Sequence, residues 1–182
     1  MSARSHGDAT ASCSITATAA ASAPEHDADG DEVVTEVLFY HLERQPLEHV
    51  LPTLLEKSLE RGWRAIVHAG TQERLEALDV ALWTYRDESF LPHGMANEGP
   101  PERQPVFLTT SDENPNAAKI RFLVEGAEIA NLGDYDRVVY LFDGRIEEAV
   151  VAARQSWKAA KDGNHDVTYW QQAASGKWER RA

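Results

Sequence analysis

Arg154, Lys158 and Lys161 are the residues of this chain whose type and spacing best suit chemistry. At ~100° per helical residue, positions i, i+4 and i+7 lay three cations along one stripe. The stripe borders an apolar face formed by Ile146, Ala149, Val150, Ala153, Trp157 and Ala160. A guanidinium holds a carboxylate through two parallel N–H bonds, and an adjoining apolar hollow takes an aromatic side chain. The chemistry implied is capture of an anionic ligand with an apolar tip, and chain-terminal carboxylates are captured in this way. A structural reading competes, because cations in the last turns of a helix also complement its dipole. A second group is Trp83, Tyr85, Phe90, Pro92 and His93, crowded into ALWTYRDESFLPHG. Either Trp83 and Phe90 pin a loop onto the core, or they form a partner-binding patch, since aromatics are enriched at binding hot spots.

No residue set points to catalysis with comparable force. The chain has neither G-x-G-x-x-G nor a phosphate-binding G-x-x-x-x-G-K-[ST] run; Gly176-Lys177 is followed by Trp178. There is no G-x-S-x-G elbow. The seven histidines are scattered and none stands at metal-ligand spacing from another ligand. His41 and His68 end strands, His93 lies in a loop, and Glu125 and Glu128 flank a turn at Gly126; structural or solvated roles suit all of them. No catalytic residue, metal site or cofactor is therefore assigned. Two alternatives stay open: a small α/β enzyme or nucleotide-binding protein acting near loop 84–104, and single-strand binding through Trp157, Trp170, Trp178 and the basic end by base stacking.

The elements that must position these residues follow from periodicity. Glu36–Leu42 is an apolar run of strand length. Pro46 opens a helix with apolar positions Leu47, Val50, Leu51, Leu54, Leu55 and Leu59, ended by Arg61-Gly62. Pro52 inside this pattern should kink the first turns or delay the start. Trp63–Ala69 is a second strand, and Thr71 caps a second helix carrying Leu75, Leu78, Ala81 and Leu82. A long loop is expected from about residue 84 to 104. Strands follow at 106–110, 119–124 and 138–142, then the turn Asp143-Gly144, a helix over 146–161 and a short strand at 167–170. Strand and helix alternating at this spacing predict a parallel α/β sheet in one domain. Residues 171–182 are expected to be a frayed polar tail.

Composition sets the outer limits. The −12 formal charge divides into −5 over residues 1–34, −10 over 35–153 and +3 over 154–182. An acidic body repels the phosphate backbone, which excludes direct duplex binding and leaves the basic end as a local anion site. Residues 1–34, rich in Ala and Ser and without Leu, Phe, Trp or Tyr, cannot bury enough apolar surface to offset ordering, and are expected to be a disordered acidic leader. No apolar run is long enough to cross a bilayer. Cys13, the single cysteine, permits neither an intramolecular disulfide nor a thiolate metal cluster.

Several of these stretches together resemble the chi subunit family of bacterial DNA polymerase III. They are Thr35-Glu-Val-Leu-Phe-Tyr-His-Leu42, Leu78 to Trp83 with Glu88-Ser-Phe-Leu-Pro-His93, Asn114-Pro-Asn116, Val138 to Gly144, and the helix bearing Arg154, Trp157 and Lys158. The resemblance covers about residues 35–170 and leaves the leader outside. It implies a non-catalytic accessory subunit of the replicase, cytoplasmic and drawn to the nucleoid through the replisome, with no cofactor and no direct hold on duplex DNA or membrane. The implied fold is a three-layer, Rossmann-like α/β/α domain with a mixed, mostly parallel sheet. The implied role is to link the clamp loader, through a psi subunit, to single-stranded-DNA-binding protein, whose acidic C-terminal tail ends in phenylalanine. On that resemblance Arg154 takes the tail's terminal carboxylate and Trp157, Phe142 and Val167 line its pocket, while Lys158 faces the tail's acidic residues. Trp83, Phe90 and Pro92 resemble the surface that contacts psi. Val150 stands where a basic residue would extend the stripe upstream, so the tail is expected to be bound with fewer charges.

Overall fold

The computed structural model describes residues 34–88, 90–173 and 175–182, all within one compact unit, Glu32–Ala182; most of the expected leader lies outside the described residues. Eight strands form one sheet: β1 (Glu36–Leu42), β2 (Ala65–Ala69), β3 (His93–Met95), β4 (Val106–Thr109), β5 (Ile120–Val124), β6 (Arg137–Asp143), β7 (Asp166–Gln172) and β8 (Trp178–Arg180). Three helices accompany them: α1 (Leu47–Glu60), α2 (Gln72–Thr84) and α3 (Glu147–Asp162). The strand order is β3-β4-β2-β5-β6-β1-β7-β8. Every pairing is parallel except β7 with β8. The domain is therefore the three-layer α/β/α structure with a mixed, mostly parallel sheet that the resemblance implies.

Parallel strands are covered on both faces, so their residues are apolar in both registers. In β1, Leu38 and Leu42 join the core beneath α1 and α2, with Leu51, Leu55, Leu75, Leu78 and Leu82. Val37 and Phe39 point to the opposite face and meet Ala153 and Ala160 of α3. Where α3 does not reach, loops cover the sheet, and Ala118, Ala127 and Tyr135 pack on Ile66, Phe107 and Leu123. The register places Phe142 beside His41, and His41 beside Gln171, across β6-β1-β7.

Several expectations need correction. Pro52 neither delays nor ends α1, which starts at Leu47 on the carbonyl of Pro46 and runs through it; Pro52 is buried, and packing offsets the backbone bond its ring removes. The long loop 84–104 contains the short strand β3 and a 3-10 turn at Pro101–Arg103. Residues 171–182 do not form a frayed tail. β7 continues to Gln172, and the chain returns as β8. Gln172 is buried because its side-chain oxygen accepts the backbone N–H groups of Glu43, Arg44 and Gln45 at 3.3, 3.0 and 3.1 Å. Trp178 meets Tyr40 edge-on with ring centroids 4.8 Å apart. Periodicity could not foresee either strand, because three-residue strands are specified by their neighbours and not by their own pattern.

Candidate functional site

α3 is amphipathic and lies with Ala153 and Ala160 against β1, β6 and β7. Its small buried residues let the helix sit close to the sheet, while larger side chains on its flank leave a hollow between helix and sheet edge. That hollow measures about 180 Å³ and is lined by Phe142, Val150, Ala153, Arg154, Trp157, Tyr169 and Ala182. Phe142 is buried at its floor and Trp157 is half-buried in its wall. Arg154 is exposed, and among the described residues its guanidinium has no hydrogen-bond or ion-pair partner. An exposed guanidinium at an apolar mouth can take a carboxylate without first breaking an ion pair.

The structure brings Phe142, Arg154 and Trp157 together in one cavity. Val167 does not line it; it is buried beneath, in the same cluster as Phe142 and Trp157. Lys158 is exposed one position beyond Trp157 and outside the lining. Lys161 stands over the Trp157 ring, its ammonium 5.4 Å from the centroid, a cation–π arrangement that braces the indole. Val150, which stands where a further basic residue would extend the stripe, is a wall of the cavity.

Tyr169 and Ala182 are lining residues that sequence reasoning missed. The Tyr169 hydroxyl pairs with His41 Nδ1 at 2.8 Å, and the His41 ring stacks on Phe142 at 5.1 Å. Gly144 permits this, since a Cβ there would lie 1.7 Å from His41 Nε2. Burial raises the Tyr169 hydroxyl above the usual tyrosine range against the opposing pull of the Arg154 charge, with Glu43 adding to the rise. The phenol thus stays neutral and serves as a hydrogen-bonding wall. The only sequence signal for it was its place in an apolar strand.

The second group of aromatics is open to solvent. Trp83 is 52% exposed, Phe90 72% and nearby Val80 63%. The two rings lie 6.0 Å apart. Pro92 is half-buried beside them. The loop is pinned by other residues: Leu91 is buried, and His93 is wholly enclosed beneath Trp83, with ring centroids 4.8 Å apart. His93 Nδ1 donates to the Leu91 carbonyl at 2.7 Å, and Nε2 lies 3.3 Å from Asp79 Oδ1. Burial raises the Asp79 carboxyl, with Glu98 adding to it, although His93 opposes the shift.

Two further features need placing. A hollow of about 260 Å³ near loop 84–104 is lined by Gln72, Leu75, Met95, Ala96, Asn97, Leu108, Thr109 and Thr110. None of these residues can act as acid or base at neutral pH. Arg121, fully buried on β5, donates to the carbonyls of Ser111, Asp112 and Glu113, to the Tyr135 hydroxyl and to His68 Nδ1. It ties the 111–113 loop to β2 and β5 as a structural group. Among the described residues no group of three metal-ligating side chains occurs, and no helix is long and apolar enough to cross a membrane.

Comparison with known proteins adds an independent finding. The family model described as "DNA polymerase III chi subunit, HolC" matches residues 34–168. A protein of Rickettsia prowazekii (strain Madrid E), named "Probable DNA polymerase III subunit chi", is 24% identical over 114 residues, 63% of this chain and 69% of that protein. "DNA polymerase III subunit chi" of Pseudomonas aeruginosa is 36% identical over 45 residues, 25% of this chain and 32% of the relative.

Proposed function

Because the chain belongs to the DNA polymerase III chi subunit family, we propose that it is a replicase accessory subunit that grips the acidic C-terminal tail of single-stranded-DNA-binding protein through the α3 cavity. The observation that carries this reading is the juxtaposition of an apolar hollow of about 180 Å³ with the exposed guanidinium of Arg154. The tail's terminal phenyl ring enters between Phe142, Val150 and Trp157, and its carboxylate meets Arg154. Lys158, one position beyond Trp157, faces the acidic residues that precede the ring. Val167 supports the floor from beneath. The acidic body then keeps DNA away while the basic helix recruits an acidic peptide.

The exposed Val80, Trp83 and Phe90 patch with Pro92 gives the same subunit a second docking surface, for psi or another clamp-loader component. Exposed aromatics of this area mark protein interaction sites. The two surfaces together would couple the clamp loader to coated single strands.

The test is calorimetric titration with an Asp-Asp-Asp-Asp-Pro-Phe peptide bearing a free carboxylate. Arg154→Ala should weaken binding by about 1.5 to 3 kcal/mol, the scale of a charged hydrogen bond, and added salt should weaken the wild-type complex. An unchanged affinity in Arg154→Ala refutes the assignment. A pull-down with tail-deleted single-stranded-DNA-binding protein gives the same answer on the whole partner.

A further inference from the structure

The cavity has a wall that comes from beyond the residues matched to the family. The match ends at residue 168, yet Tyr169 and Ala182 both line the hollow. They are joined directly: the Arg181 N–H donates to the Tyr169 carbonyl at 2.8 Å, and the Tyr169 N–H donates to the Ala182 carbonyl at 2.9 Å. The β7–β8 ladder pairs Trp170 with Arg180 and Gln171 with Glu179. Side chains alternate across a pleated strand. Trp178 packs on Tyr40 on the α1 face, so Glu179 and Arg181 stand on the α3 face beside Tyr169. Their ion pair, 2.9 Å long with both side chains about half exposed (48% and 54%), fits that placement.

We propose that this returning strand is the second wall of the peptide site and that Arg181 is a specificity residue for the carboxylates preceding the ligand's apolar tip. The proposal rests on the reading of the α3 cavity as an acidic-peptide site. A peptide anchored by its tip between Phe142 and Trp157 leaves the cavity with α3 on one side and the Arg181–Ala182 end of the returning chain on the other. Arg154 stands on the first side and Arg181 on the second. In the free protein Glu179 holds the Arg181 guanidinium, and a ligand carboxylate takes the place of Glu179 on binding. The wall thus selects acidic sequences by exchange of one ion pair for another. Because each pair is solvent-exposed, the exchange tunes affinity and does not carry it.

Titration of two peptides against the full chain tests this. One is Asp-Asp-Asp-Asp-Pro-Phe and the other has asparagine in place of each aspartate. With the acidic peptide, Arg181→Gln should weaken binding about two- to fivefold and Glu179→Gln should tighten it about twofold. With the asparagine peptide both variants should match the parent protein, whereas Arg154→Ala should weaken both peptides. Unchanged affinity of Arg181→Gln and Glu179→Gln for the acidic peptide overturns the proposal while leaving the cavity's role intact. Equal effects on both peptides overturn it too, since they would mark a purely structural role. If Arg154→Ala changes neither peptide, the cavity reading falls and this proposal with it.

Discussion

Gly144 illustrates how much a single backbone position can decide. Its missing Cβ is the space that the His41 ring occupies. That ring stacks on Phe142 and meets the Tyr169 hydroxyl, so the glycine indirectly shapes both the floor and one wall of the cavity. Gly144→Ala should force the ring out and cost about 1 to 3 kcal/mol, the range for inserting a methyl into a packed site. Urea denaturation measures this, and the loss should shrink in a His41→Ala background, where the clash is gone. Equal losses in both backgrounds would show that the ring does not depend on the glycine. Of the two arginines proposed to take ligand carboxylates, Arg154 is exposed at the cavity mouth and Arg181 is held by Glu179.

At the scale of elements, α2 and the loop after it divide two tasks between adjacent residues. Leu91 and His93 fasten the loop, while Trp83 and Phe90 stay outside. Phe90→Ser should therefore leave stability within about 0.5 kcal/mol, as surface changes do, while lowering affinity for the clamp-loader partner proposed above. Thermal denaturation beside a pull-down separates the two effects; a large stability loss would show that the ring serves the core. This split was not legible in the sequence. Leu91, Pro92 and His93 follow Phe90 directly, and which of them turns inward depends on β3 pairing with β4. In α3, by contrast, one local period set both the buried alanines and the flanking cations, and the Arg154–Trp157–Lys158 spacing reads straight off the chain.

For the whole molecule, the buried Arg121 network couples stability to pH. A guanidinium only donates, so His68 Nδ1 must accept from it and the ring must be neutral. Burial lowers the His68 pKa below the ordinary 6.5, and the Arg121 charge lowers it further. The unfolded chain then binds the proton more readily than the folded one. The contribution of His68 is fully present above about pH 6.5 and is lost as pH falls through that value toward the lower folded pKa. Denaturant titrations at pH 7.5 and 5.5 should show a fall in stability that His68→Gln reduces; an identical slope in the variant would remove this residue from the account.

The sequence by itself determined the class of the fold and one side of the candidate site. Double-faced apolar strands alternating with amphipathic helices admit only a covered parallel sheet, and the helical period alone placed Arg154 beside Trp157. These are properties of a few neighbouring residues and follow from backbone geometry. Only the tertiary structure decided the strand order, the two three-residue strands, and the far wall of the cavity. His41 lies more than a hundred residues before Phe142 and Tyr169 in the chain, and the three meet because β1 inserts between β6 and β7 in one register. Ala182 reaches the same hollow through backbone bonds to Tyr169. Such contacts leave no periodic trace, because each strand's pattern records that it is buried and not which strand lies beside it.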